Sequence, residues 1–473
     1  MRPHAFMNTP ERLQQLELLG GLGQWAVEHI LRLTVENVQL HGQLEQARAQ
    51  IQKQEELLEE WQRQAHRQAA PFRRPESQRN PHPGRPGRKP GHPGFYRPKP
   101  EPIDEQIRVN LPCCPHCQGP VCQKQALTQY IEEIPVVRPR VTELITEEGW
   151  CEQCQRQVCS THPLQGSRAG GAAAVQLGPR ALALACDLNK AKGLSLRQSV
   201  AVLGDHFGLK LTPGGLALLL QRVGEKMQPD YEQMAVQLRH SPVVHADETS
   251  WWVGGPGWWL WVFTTPQMTC YVVVQSRAAA VALGILGADF AGVLVSDCLG
   301  IYDELNPLQQ KCYSHHLKAV SESCQSHPQH GEGFLLQVQA LLRTALWLKA
   351  LQAGAEAERF ELCVRNLRLR AHDLLGSPRA QPQEEKVRMR LWKQRDHLFT
   401  FLERADDPAT NNLAERQLRR AVIARKISCG NKTPKGAQAW QVLASIAATC
   451  RQTGRSFIQL VAESVLLQPT RAP

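Results

Sequence analysis

The stretch VVHADETSWWV constrains this chain more than any other. Its apolar run reads as a short buried strand, and Asp247 stands where the run ends. GVLVSD has the same form and ends on Asp297. Between the two, GWWLWVFT and TCYVVVQ read as further strands, separated by Gly-Gly-Pro-Gly and Thr-Pro-Gln turns. A helix is expected across Ala278–Leu286, and another strand at QKCYS. Much later, the polar segment NNLAERQLRR reads as a helix carrying Glu415, with Asn411 and Asn412 as its expected caps. Glu248 should face away from Asp247 by strand alternation and is set aside. An aspartate at a strand end is commonly just hydrogen-bonded, so one acid alone carries little weight.

Order adds weight. Three meandering strands, a helix, then strands alternating with helices is the order of a ribonuclease-H-like α/β core. That fold carries one acid on its first strand, one on its fourth and one on a terminal helix. Asp247, Asp297 and Glu415 occupy those places. Carboxylate oxygens suit hard cations, and two Mg²⁺ (or Mn²⁺) ions clamp the attacking and leaving oxygens of a phosphoryl transfer. The interval from Asp297 to Glu415 is too long for one crossover, so a helical insertion is expected at about 330–405. The five tryptophans at 251, 252, 258, 259 and 261 are expected to serve packing rather than base stacking.

The front of the chain is different material, and the whole reads as a multidomain α+β protein. A heptad seam over 25–65, with Asn37 at one core position, predicts a zipper-like coiled coil. Residues 71–100 hold eight Lys/Arg against one Glu and nine prolines, which predicts an extended basic linker. Its Arg85, Arg88 and Lys89 suit salt-dependent contact with a polyanion, in keeping with the net charge of +11. Two knuckles follow, Cys114-Pro-His-Cys117 and Cys151-Glu-Gln-Cys154, and four thiolates at that spacing suit a structural Zn²⁺. The alternating stretch between them predicts two strands, giving a zinc ribbon over 108–160. Residues 174–232 read as helix-turn-helix, with one helix beginning within Leu194–Gln198 and another capped by Thr212 ahead of Pro213, 240–450 as the catalytic core, and 451–473 as a C-terminal tail. Fifteen cysteines and no apolar leader point to a reducing, cytoplasmic setting at the nucleoid. The apolar run Ala278–Val295 imitates a membrane span, but its glycines fit a buried helix turning into a strand.

Taken together, HADET at 245–249, SDCLGIYD at 296–303, CYSHHLK at 312–318 and NNLAERQLRRAVIARKISCGN at 411–431 resemble the insertion-sequence-66 family of transposases. The likeness runs nearly end to end, from zipper and basic tract through ribbon to acidic core. The chain departs from the family at Cys312-Tyr-Ser-His315 and Lys318, where an aromatic-Ala-His phrase followed by arginine is usual. The resemblance implies DNA cleavage and strand transfer by an Asp247–Asp297–Glu415 triad holding two metal ions. It implies transposon ends and target DNA as partners, a homodimer or larger assembly, and possible helper proteins of the same element. Arg416, Arg419, Arg420, Arg425 and Lys426, on or just after the Glu415 helix, would hold phosphate oxygens. Two rival readings are a related nuclease that cuts without joining, and an inert zinc-ribbon DNA-binding regulator.

Overall fold

The computed structural model describes residues 91–94, 97–165, 175–305, 308–326 and 333–466, with 33, 35–37, 39–47, 50 and 54. The chain divides into two units, Met1–Glu132 and Glu133–Pro473. In the first, the described positions between 33 and 54 are helical, and Leu33, Leu40 and Leu44 of the expected seam are exposed. The rest of that zipper, and the basic Arg85, Arg88 and Lys89, lie outside the described residues.

The second unit opens with a hairpin of β1 (Glu148–Cys151) and β2 (Arg156–Cys159). The alternating stretch 125–150, expected to supply two strands, supplies only the start of β1 at its end; residues 125–147 form no strand and are exposed. Alternation alone makes a strand only where a surface covers its apolar face. Helices α1 (Pro179–Cys186), α2 (Leu196–Phe207), α3 (Pro213–Lys226) and α4 (Gln228–Arg239) follow. The starts of α2 and α3 match the sequence reading. Ser195 and Gln198 form a capping box, and Thr212 accepts from the Gly215 N–H at 3.0 Å ahead of Pro213.

The sheet is built from β3 (Val243–Trp251), β4 (Trp258–Thr264), β5 (Thr269–Val274), β6 (Val293–Ser296) and β7 (Gln309–Lys311), with α5 (Ala279–Leu286) between β5 and β6. Its order is β5-β4-β3-β6-β7. The first three strands form an antiparallel meander, whereas β6 and β7 run parallel to β3. The run Ala278–Val295 is therefore split between α5 and β6 and is not one helix. The strand expected at QKCYS stops at Lys311, because its partner β6 ends at Ser296 and Tyr313 already begins a helix.

From there the chain leaves the sheet through α6 (Tyr313–Ser326), α7 (Phe334–Leu351), α8 (Ala357–Gly376) and α9 (Pro382–Lys393). These share their own apolar core, with Tyr313, Val338, Leu342, Leu375, Leu391 and Phe401 buried. The excursion starts and ends at one place, since the Tyr313 N–H donates to the Ala409 carbonyl at 3.0 Å. The insertion thus begins nearer 313 than 330. Helix α7 is long and apolar enough to cross a membrane by length and composition, yet its apolar side lies in this core.

Helices α10 (Asn412–Ser428), α11 (Pro434–Thr453) and α12 (Phe457–Val465) close the unit. Leu203, Leu216 and Val223 share one core with Val244, Ala246 and Leu294 of the sheet and with Val442, Ile446, Phe457 and Val461. The region 174–232 is accordingly continuous with the core beneath the sheet. Most of the expected tail is a packed helix, because Phe457, Val461 and Val465 fall on one face and bury it.

At Gly224 of α3 an added Cβ would sit 2.9 Å from the Ala439 Cα of α11. Gly to Ala inside a helix ordinarily stabilises. Here the sign should reverse: Gly224→Ala is expected to cost about 1–3 kcal/mol as the helices are forced apart, read as a lower urea midpoint at unchanged m-value.

Candidate active site

Strands β3 and β6 pair Val243 with Val293, Val244 with Leu294 and His245 with Val295. That constant offset, carried two residues further, sets Asp247 beside Asp297 just past the last paired residues, on strands whose spacing is about 4.8 Å. Strand β6 ends at Ser296, whereas β3, expected to end at Asp247, runs on to Trp251 because β4 continues to pair with it. Across β3 and β4, Asp247 pairs with Val262 and Glu248 with Trp261. Directly opposed side chains share a face. Val262 belongs to the layer containing Ala414 and Leu418 of α10, whereas Trp261 belongs to the opposite layer. Asp247 therefore faces the helix that carries Glu415, and Glu248 faces away.

Glu248 is engaged on its own side. It accepts from Tyr302 Oη at 2.7 Å and from Arg277 at 2.8 Å. Burial pushes its carboxyl up, and the Tyr302 and Arg277 bonds oppose that. Asp247 is held well above the usual carboxylate range, first by burial and then by the charges of Asp297 and Glu248, with Glu415 adding to them. Its Oδ1 accepts the Glu248 N–H at 2.9 Å, and Asp297 Oδ1 accepts the Leu299 N–H at 3.0 Å.

Glu415 lies in the first turn of α10, and Asn411 fixes that turn to the sheet. Asn411 is fully buried. Its Nδ2 donates to the Ala246 carbonyl at 2.8 Å, its Oδ1 lies 3.1 Å from His245 Nδ1, and its N–H donates to Cys312 Sγ at 3.2 Å. Asn411 sits at the N-cap position but makes no side-chain cap bond, contrary to expectation. Polar groups of β3 that would otherwise be buried without partners take the side chain instead. Burial holds the His245 imidazole near a pKa of about 4, so it is neutral at pH 7.

The ligand atoms of Cys312, His315 and Glu415 lie within 4.8 Å of one another. Burial raises the Cys312 thiol, but His315 and the Asn411 N–H outweigh it and leave the pKa lowered. The Cys312 sulfur in turn raises His315 against the effect of its burial. Neither Asn411 nor Cys312 was singled out from sequence as a partner of the acids. The only signal was a second asparagine where a helix needs one cap, and a Cys-x-x-His spacing with no second pair beside it.

Arg416 and Arg419 line an open cleft of about 310 Å³ with Asn412 and Glu415. Arg419 approaches Glu415 Oε2 to 4.0 Å. With Lys426 these arginines form an exposed basic stripe along α10, and Arg420 is exposed on its shoulder. Arg425 differs: its guanidinium donates to the Ser250 carbonyl and lies 3.3 Å from Thr249 Oγ1, so it ties α10 to the end of β3. Trp251 and Trp261 are buried and Trp251 packs on Trp440 at 4.6 Å, whereas Trp252 is exposed.

The cysteine knuckles are local structures, one in each unit. In the first, Gln118 N–H donates to the Cys114 carbonyl, and bonds from Cys117 and His116 lower the Cys114 thiol pKa. In the second, Cys154 does the same for Cys151 at the turn of the β1–β2 hairpin.

The model of the transposase IS66 family matches residues 174–439, more than half of the chain. The chain belongs to the IS66 transposase family. The family match covers α1–α4, the sheet, the insertion and α10, and so contains all three acids. A 73-residue stretch is also 37% identical to an uncharacterized protein, y4jO, of Sinorhizobium fredii. That stretch is 15% of this chain and 23% of y4jO, so the chain spans under a quarter of that relative's length.

Asn411→Ala should leave the Ala246 carbonyl and His245 Nδ1 without partners. A loss of about 1–3 kcal/mol for each buried group so orphaned is expected, measured by urea unfolding, with hydrogen exchange accelerated in the first turn of α10.

Proposed function

We propose that this protein is a DNA transposase that cuts element ends and joins them to target DNA with Asp247, Asp297 and Glu415. One observation carries the reading: the register of β3 with β6 brings Asp247 beside Asp297, just past the end of β6, and Glu415 of the helix covering that face acts on the same carboxylate. The strand order β5-β4-β3-β6-β7 supports a ribonuclease-H-like core, with an acid on its first strand, one after its fourth and one on a later helix.

The donor set suits Mg²⁺ or Mn²⁺. It is all carboxylate oxygen on the sheet side, and the like charges that raise the Asp247 pKa are those a divalent cation would balance. Asp247, Asp297 and Glu415 would together hold the ions. Such ions supply Lewis acidity, activating water and clamping the attacking and leaving oxygens. The protein's own part is orientation: Asn411 fixes the Glu415 helix on β3, and Arg277 and Tyr302 keep Glu248 on the opposite face. Arg416, Arg419, Arg420 and Lys426 would hold phosphate oxygens beside the acids. Structural zinc on Cys114, Cys117, Cys151 and Cys154 belongs to the same reading, recommended by the chemistry of each knuckle by itself. Assembly as a homodimer or larger complex, with helper proteins of the same element, and action at the nucleoid complete it.

Wild-type protein with labelled element ends, supercoiled target and Mg²⁺ is expected to give joined products. Asp247→Asn, Asp297→Asn and Glu415→Gln should each lose at least several kcal/mol of transition-state stabilisation, about a thousandfold in rate. Cut but unjoined ends would move the reading to a nuclease, and DNA binding without chemistry under any metal to a regulator.

The arginines give a second test. Arg416→Ala and Arg419→Ala should each reduce the slope of log K against log salt by about 1, uniformly across DNA sequences. Arg425→Ala should mainly destabilise the fold, because its guanidinium is engaged with Ser250 and Thr249.

A further inference from the structure

Glu415 has neighbours of a different chemical kind on the side away from the arginines. Its Oε2 faces Arg419, while its Oε1 lies 4.0 Å from His315 Nδ1. Cys312 stands one helical turn before His315, and donor atoms of all three residues fall within 4.8 Å. His315 Nδ1 is shielded from solvent and has no hydrogen-bond partner among the described residues. Cys312 Sγ accepts the Asn411 N–H, the kind of outer bond that orients a metal-binding sulfur.

We propose that Cys312, His315 and Glu415 form a second metal site that takes a borderline-soft cation such as Zn²⁺ and, when filled, withdraws Glu415 from the acidic triad. Thiolate and imidazole donors favour Zn²⁺ over Mg²⁺, whereas the aspartates favour the harder ion. Zn–S of about 2.3 Å and Zn–N or Zn–O of about 2.0–2.2 Å put tetrahedral ligand atoms roughly 3.3–3.7 Å apart. Closing the present cluster to that size needs shifts of roughly an ångström. His315 and Glu415, whose side chains are 38% and 29% exposed, have room to make them. The fourth position would be left to solvent. One carboxylate thereby serves two sets of donors, and the shift that brings Glu415 onto an ion held by Cys312 and His315 draws it away from the aspartates. Zn²⁺ becomes an inhibitor of Mg²⁺-supported chemistry at this site.

Binding and inhibition are separate readouts, and only the second rests on the triad reading above. Co²⁺ titration of the full chain, followed by sulfur-to-cobalt charge-transfer absorption, compares wild type with Cys312→Ser and His315→Gln. The knuckle cysteines contribute equally to all three. Wild type is expected to take up one equivalent more than Cys312→Ser, and equal uptake with identical spectra overturns the site. In the cleavage assay, each protein is compared with its own zinc-free rate in Mg²⁺. Half-inhibition by Zn²⁺ is expected at a concentration at least about tenfold lower for wild type than for Cys312→Ser. Equal sensitivity overturns the inhibitory role. Absence of Mg²⁺-dependent cleavage with the extra Co²⁺ equivalent intact would sink the triad reading and the inhibition with it, while the metal site stands.

Discussion

The parallel pairing of β3 with β6 is the constraint on which the rest of the site depends. Two strands in parallel register present residues at a fixed offset along their whole length. Two aspartates separated by that same offset must therefore stand side by side. Asp297 follows the end of β6, and Asp247 lies on β3 just beyond its last residue paired with β6, at the carboxyl end of the parallel pair, where open α/β sheets generally carry their chemistry. The cost of setting like charges together appears in Asp247, whose ionised form burial and Asp297 both disfavour. A fold that only needed stability would not put two acids there.

Helix α10 completes the arrangement through polar contacts more than through apolar ones at its start. Ala414, Leu418 and Ala421 bury its inner face, but its first turn is registered by Asn411 against the backbone and a histidine of β3. A hydrophobic face tolerates sliding, because dispersion is nearly indifferent to small shifts. A buried amide bonded at both ends is not, since displacement leaves donors and acceptors without partners. The same residue reaches Cys312 through its N–H, so the end of the insertion, the start of α6 and the Glu415 helix meet at one buried asparagine. A helical excursion can be placed between Lys311 and Asn411 without disturbing the acids because it returns to its point of departure.

Much of this was legible from residue order. The strand trio, the short helix, the parallel strand ending on Asp297 and the capped starts of α2 and α3 all follow from periodicity and local cap chemistry. The assignment of Glu248 to the far face follows from strand alternation alone. What failed did so for non-local reasons. The alternating stretch 125–147 found no surface to cover it, and the expected tail after 451 carried an apolar stripe that α1 and the core were waiting to receive. Arg425 looked like its basic neighbours in sequence, but the tilt of α10 on the sheet turned it onto Ser250.

Sequence by itself determined the identity and order of the acids, the element types that carry them and the match to a transposase family, because strand and helix periods and local caps are written over a few residues each. Only the tertiary structure decided which groups share Glu415. Cys312 and His315 reach it across about a hundred residues of intervening chain, Asn411 ties its helix to Ala246 and Cys312 over similar or greater separations, and no local pattern encodes contacts that form only when α10 settles on β3. The physical reason is that hydrogen bonds and metal-ligand distances are satisfied in space, whereas sequence spacing reports only what a single element can bring to one face.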